Sequence, residues 1–155
     1  MVTSFSPISS SDARVLVLGT MPGVESLRTG HYYANPRNTF WEIVGGIFGF
    51  DAALDYELRC AALRNAKIAL WDVLADCERD GSLDSAIKNA TPNDFPSFFA
   101  QHSSITRVYF NGAKARKFFD RHVNVDRDLV LATLPSTSPA NTSRDKLRDW
   151  RVIAT

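Results

Sequence analysis

The chain is poor in the residues that usually announce a chemistry. Its two cysteines, Cys60 and Cys77, are too few for a disulfide framework, a four-ligand zinc site or an iron–sulfur cluster, and they read as reduced, buried thiols of a cytoplasmic protein. A formal net charge of +1 provides no global basic field, so any face for a polyanion has to be local. No window is long and apolar enough for a membrane span. The opening residues, MVTSFSPISSSDA, lack both the basic start and the continuous apolar stretch of a secretory signal. There is no G-x-G-x-x-G fingerprint and no Gly-Lys-Ser/Thr P-loop ending, and no Ser/His/Asp or Cys/His set accompanies the glycine- and proline-rich stretches. Internal repeats, low-complexity tracts and linker-like breaks are also missing, which leaves one domain over residues 1–155 as the expectation.

What is present is ordinary in bulk and particular in pattern. With 155 residues, 45% apolar and 23% charged, the chain can bury roughly two thirds of its unfolded surface. Four short apolar runs, at 15–18, 68–71, 108–110 and 129–134, are continuous rather than alternating, as strands covered on both faces are. Helical patterns fill the intervals at 38–48, 54–65, 95–102, 113–122 and from 143 to the end, with a short one near 83–88. That alternation predicts an α/β sheet. In open parallel sheets ligands sit beyond the carboxyl ends of the strands. The residues found there are Gly19-Thr20-Met21-Pro22-Gly23, then Asp72, then Asn111-Gly112, then the loop 135–141. No two of these ends are copies of each other, and one composite site is the economical explanation.

Each stretch has a structural and a functional reading. In GTMPG the glycines permit unusual backbone angles and close approach of a flat ligand, while Pro22 stiffens the loop; alone, it is also a tight turn. In HYYANPRNTFW, Tyr32 and Tyr33 suit either an aromatic wall against a base or core packing. Arg37 suits a phosphate or plain solvent. Asn38, before Thr-Phe-Trp, suits a helix N-cap, and Phe40 and Trp41 read as the apolar face of the helix that follows. LPSTSPANTS is stiff, slim and rich in donors for phosphate oxygens, or simply a Ser/Pro-rich loop. The basic residues after it, Arg144, Lys146, Arg148 and Arg151, alternate with Asp145 and Asp149, the pattern of a solvated helix face.

Taken in order, VLVLGTMPG (15–23), YYANPRNTFW (32–41), ALWDVLADCERDGSLDSAI (69–87), VYFNGAKA (108–115) and LPSTSPAN (134–141) resemble the uracil-DNA glycosylase superfamily. Within it they resemble the hypoxanthine-DNA (deoxyinosine) glycosylase branch, near the mismatch-specific uracil/thymine glycosylases. The resemblance implies a three-layer α/β/α fold with a short, mainly four-stranded parallel sheet. It also implies hydrolysis of the N-glycosidic bond of a deaminated base in damaged DNA, by a monomer without metal or cofactor. Many relatives hold the attacking water with an Asp or Asn in the first strand-end motif; here that stretch offers Thr20 and Met21, and the duty passes to Asn38. Ser is common in the branch where Thr20 stands and His where Asn35 stands; Asn35 cannot titrate near neutral pH, and His31 is the nearby substitute.

The implied mechanism has a flipped purine held between an aromatic ring, Tyr33 or Phe40, and the backbone of residues 20–23. Asp72 would accept the N1–H of hypoxanthine and repel the N1 lone pair of adenine, or else cap the next turn. Asn38 orients the water, while backbone N–H groups near Met21, with Asn111, stabilise the departing base. Arg37, Ser136, Thr137 and Ser138 grip phosphates, and the tip formed by Pro139, Ala140 and Asn141 wedges into the helix. No lysine is placed by these motifs for a Schiff base, which predicts a monofunctional enzyme. The alternatives are a mismatch-type uracil/thymine glycosylase, a catalytically silent nucleic-acid-binding domain, and a small-molecule nucleotide hydrolase.

Overall fold

The structure is a computed structural model that describes residues 1–142 and 145–155. Four strands, β2 (Val15–Gly19), β3 (Ile68–Asp72), β6 (Arg107–Asn111) and β7 (Val130–Leu134), pair in parallel in the order β3-β2-β6-β7. Their apolar runs are continuous because the pleat sends successive side chains to opposite faces and both faces are covered. From β2, Leu16 and Leu18 enter one core with Phe95, Phe98 and Phe119, supplied by α4 (Phe95–Gln101) and α5 (Ala113–His122). Val15 and Val17 enter the other, with Phe40, Leu63 and Trp150 from α2 (Phe40–Phe48), α3 (Tyr56–Asn65) and α6 (Lys146–Trp150). The result is the expected three-layer α/β/α arrangement. Among the described residues no helix is long and apolar enough to cross a membrane.

A second sheet is antiparallel and was not signalled by the sequence. It joins β1 (Val2–Thr3), β4 (Leu74–Glu78) and β5 (Lys88–Pro92) in the order β1-β4-β5. Only Val73 separates β3 from β4, and the Asn93 amide pins this corner by donating to the carbonyls of Asp72 (2.7 Å) and Leu74 (3.1 Å). The expected short helix at 83–88 is a single 3-10 turn, Asp84–Ala86, because the chain must straighten by Lys88 to pair with β4. The six-residue α1 (Val24–Thr29) had no apolar stripe to reveal it, burying only Ser26. β7 is an edge strand, exposed at Val130 and only partly buried at Leu131 and Ala132, so the expectation of cover on both faces fails there. The last helical pattern was expected from Ser143; Ser143 and Arg144 lie outside the described residues, and α6 begins at Lys146. Lys146 is buried rather than solvated and donates to the Ser138 carbonyl at 3.4 Å, whereas Arg148 and Arg151 are exposed as expected.

Candidate active site

The parallel register brings the strand ends level. Gly19 pairs with Asp72, Leu18 with Phe110, and Asn111 with Leu134. Beyond them opens a cavity of about 560 Å³. It is lined by residues 19–23, by Tyr33, Asn35 and Asn38, by Asp72 and Asn111, and by residues 136–141, so all four strand ends contribute to one cavity. Gly19 is required at its floor. A Cβ there would lie 2.6 Å from Asp72 Oδ1 and 2.7 Å from the Tyr33 hydroxyl, closer than any side chain tolerates.

The 31–38 loop reaches this cavity because its neighbours anchor it firmly. The buried Tyr32 is the anchor: its hydroxyl donates to the Ser6 carbonyl, its N–H donates to the Tyr56 hydroxyl, and its carbonyl accepts the Trp41 indole N–H at 2.8 Å. Further along, the Ala34 N–H donates to the hydroxyl of the buried Ser26. Tyr33 is thereby held at φ +55°, a left-handed conformation uncommon outside glycine. Its ring stacks on Phe40 at 4.2 Å with 24° between planes. Of the two candidate rings, Tyr33 faces the cavity; Phe40 is fully buried behind it and does not line the space. Arg37 is exposed and also lies off the lining.

Asn38 both lines the cavity and shapes the start of α2, although not as the N-cap, which is Thr39. Its side-chain oxygen accepts the Phe40 N–H at 3.0 Å, leaving a second lone pair and the amide N–H groups for a ligand. His31 stacks on Tyr56 at 3.9 Å and lines a smaller cavity of about 270 Å³ that shares Tyr33, Asn35 and Asn38 with the larger one. His31 is not among the residues that line the larger cavity, whereas Asn35 is. The Asn35 side-chain oxygen accepts the Arg37 N–H, a turn that sets the approach to Asn38.

Opposite, Asn111 grips Thr137 from both ends of its amide. Nδ2 donates to the Thr137 hydroxyl at 3.0 Å and Oδ1 accepts the Thr137 N–H at 2.9 Å. Thr137 is fully buried, and its carbonyl accepts the Thr39 N–H. Its side chain therefore fixes the loop rather than reaching for a phosphate. Ser136 and Ser138 each accept an N–H two residues on, which stiffens the loop. Gly112, at φ +94°, lets the chain turn into α5 against Ser136.

The third wall was missed by the sequence reading. The segment after β4 folds over GTMPG: Arg79 donates to the Pro22 carbonyl, and the Val24 N–H donates to the Ser82 hydroxyl at 2.8 Å. It adds Ser82, Leu83 and Asp84 to the lining, with Leu83 exposed at the rim, and α5 adds the exposed Lys114. Nothing periodic in ERDGSLDSA marks it as a wall. The electrostatics of the floor are dominated by burial. The pKa of Asp72, which is 3% exposed and has no hydrogen-bond partner on Oδ2 among the described residues, is pushed up to about 7, first by burial and then by the nearby Asp84 charge, against a smaller opposing pull from Arg79. Burial also raises Asp84, opposed by the Thr20 hydroxyl, Arg79 and Lys114. The cavity is thus lined by a neutral amide, a carboxyl poised to change charge near neutrality, and an aromatic ring.

Comparison with known proteins gives a consistent result. The family model described as the uracil DNA glycosylase superfamily matches residues 6–155. The chain is 36% identical, over 115 residues covering 74% of it and 73% of the relative, to a hypoxanthine DNA glycosylase of Methanosarcina barkeri. It is 32% identical, over 152 residues covering 96% and 95%, to a hypoxanthine DNA glycosylase of Methanosarcina acetivorans. Among solved structures it superposes on the solution NMR structure of a Methanosarcina acetivorans protein provisionally assigned as a uracil DNA glycosylase. That TM-score is 0.84, at 30% identity, covering 98% of this chain and 95% of the other.

Proposed function

The chain belongs to the uracil DNA glycosylase superfamily and is a DNA glycosylase, and we propose that its preferred substrate is hypoxanthine in DNA, removed from a flipped-out deoxyinosine. The observation that carries this reading is the one cavity that both Asn38, on the loop before α2, and Asp72, at the end of β3, line. A base inside a duplex is shielded, so the nucleotide leaves the stack and enters that cavity. Tyr33, backed by Phe40, forms one wall and the backbone of residues 20–23 another. Asp72 accepts N1–H, and the lone pair at N1 of adenine faces the same oxygen unfavourably.

Cleavage is hydrolytic. The C1′–N9 bond breaks with its electron pair passing to the base, the sugar gains oxocarbenium character, and a water held by the free lone pair of Asn38 Oδ1 adds to C1′. The water's proton ends on the departed base. Asn38 is too weak a base to take that proton early, so its contribution is placement. Asn111 spends one amide N–H on Thr137 and keeps the other for charge developing on the base, together with backbone N–H groups near Met21. Arg37, Ser136, Ser138 and Lys114 serve the phosphates at the rim, with the 139–141 tip as the wedge. The enzyme acts as one monomeric domain in the cytoplasm, without metal or cofactor, and leaves an abasic site. The two buried free thiols suit a reducing compartment.

The test is incubation in chelator with duplexes carrying one deoxyinosine, deoxyuridine or deoxyxanthosine, followed by alkali. The expected result is strand breaks only after alkali, fastest at deoxyinosine, and a loss of roughly 100-fold or more in Asn38→Ala, as expected for removing an oriented catalytic group. Breaks at deoxyuridine alone would overturn the base preference. Breaks before alkali, with borohydride trapping through Lys114, would overturn the monofunctional assignment.

A further inference from the structure

The Tyr33 side chain carries a group that its role as a wall does not need. Its ring face packs on Phe40, and phenylalanine would do that equally well. The hydroxyl is nevertheless present, buried, and without a hydrogen-bond partner among the described residues. It lies beside the Asn111 amide without closing a bond of normal geometry, and burial holds it neutral, well above the usual phenol range, reinforced by the Asp72 charge. A buried polar atom with no partner is rare and costly unless a ligand completes it. Asp72 Oδ2 is in the same condition on the same floor. The two side chains come from different elements yet bring their oxygens against the same face of Gly19, where a Cβ would lie 2.6 Å from Asp72 Oδ1 and 2.7 Å from the Tyr33 hydroxyl. The fold keeps Tyr33 in a left-handed backbone conformation to hold it there.

We infer that Tyr33 is a specificity-determining residue whose hydroxyl works with the Asp72 carboxylate as a donor–acceptor pair for the lactam edge of the flipped base. This deepens, and rests on, the glycosylase reading above. Deamination converts an amino group beside a ring nitrogen into a carbonyl beside an N–H. Hypoxanthine and xanthine present N1–H next to O6, and uracil presents N3–H next to O4. One neutral O–H donor beside one carboxylate matches all three. Adenine and cytosine place a ring lone pair where the N–H would be, and the sugar tether prevents the base from sliding to exchange the two positions. Asp72 supplies the rejection of the normal base, because a hydroxyl rotates to accept as readily as to donate. Tyr33 supplies the gain for the carbonyl. The pair reads the product of deamination as a class, and the size of the cavity is left to rank its members.

The experiment compares the parent with Tyr33→Phe, which keeps the ring and removes only the hydroxyl. Duplexes carry non-cleavable 2′-fluoroarabino forms of deoxyinosine and of deoxynebularine, a purine with neither O6 nor N1–H; a third duplex carries an abasic-site analogue, and single-turnover cleavage of deoxyinosine is followed in parallel. The expected result is about tenfold weaker binding and slower cleavage of the inosine duplex, the size of one hydrogen bond, with binding to the nebularine and abasic duplexes unchanged. Equal weakening on inosine and nebularine would overturn the inference in favour of packing. So would a variant that binds and cuts inosine like the parent. A parent that cuts no deaminated base would overturn the glycosylase reading itself, a result distinct from either.

Discussion

The two sides of the cavity are built on opposite principles. On the β6–β7 side the buried polar groups are matched within the protein: Asn111 with Thr137 at both ends, Thr137 with Thr39, and the Trp150 indole N–H with the Pro135 carbonyl. On the β3–β4 side, Tyr33 Oη, Asp72 Oδ2 and two nitrogens of Arg79 are buried without partners among the described residues. One further orphan, Arg127 Nε, belongs to a side chain whose other nitrogens already hold the carbonyls of Phe99, His102 and Ile105. Folding alone selects against orphans, since each costs about 1–3 kcal/mol. A matched wall fixes geometry; an unmatched one carries the part of the recognition that the substrate has to complete.

By that contrast, replacing groups on the two sides moves stability in opposite directions. Asp72→Asn has the largest expected effect, and it is a gain. The folded-state value of about 7 lies above the ordinary 3.8, so the contribution of Asp72 to stability is fully present below 3.8 and is lost as pH rises through 7. The neutral variant should therefore exceed the parent by up to about 4 kcal/mol at pH 8, with an advantage that shrinks steadily towards pH 5. Urea unfolding across that range measures it, and an advantage independent of pH would break the comparison. Asn111→Ala acts on the matched wall and should cost about 3 kcal/mol at every pH, because it strands both the N–H and the hydroxyl of Thr137. Gly19→Ala forces apart the two oxygens at its Cα and should cost about 2 kcal/mol; it should also abolish discrimination between deoxyinosine and deoxyadenosine in binding assays, whereas Asn111→Ala should weaken both together.

The same contrast explains what could be read from sequence. The parallel sheet was legible because strands covered on both faces write continuous apolar runs, as in VLVLG and IALWD, and the strand-end rule then pointed to Gly19, Asp72, Asn111 and the 135–141 loop. The five ordered motifs added the family and the emphasis on Asn38. The second sheet was not legible: KNATP combines Asn and Pro, and β4 pairs with β5 through register shifts rather than clean alternation. The inward turn of Thr137 was equally hidden, since a Thr between two serines looks like its neighbours until the Asn111 amide is seen against it. Tyr32 and Tyr33 were indistinguishable as letters. Anchoring through three hydrogen bonds makes one a strut, and one residue later the other is free to face the cavity.

The smallest effect concerns how the unmatched wall is attached. Gly23 stands at the N-cap of α1 with no side chain to satisfy the helix's free N–H groups, and Ser82, from the segment after β4, accepts the Val24 N–H instead. This bond, the Arg79 contact to the Pro22 carbonyl and the Thr20 hydroxyl beside Asp84 tie that segment to the floor. Ser82→Ala leaves a half-exposed N–H that water satisfies, so the cost should be about 0.5–1 kcal/mol, a fall in Tm of roughly 1–4 °C. The informative readout is local. Amide exchange should accelerate across residues 79–86 and stay unchanged at Thr137, because no hydrogen bond of the β6–β7 wall passes through Ser82. Faster exchange at Thr137 as well would mean that the two walls open together, and the division into a fixed wall and a reading wall would have to be abandoned.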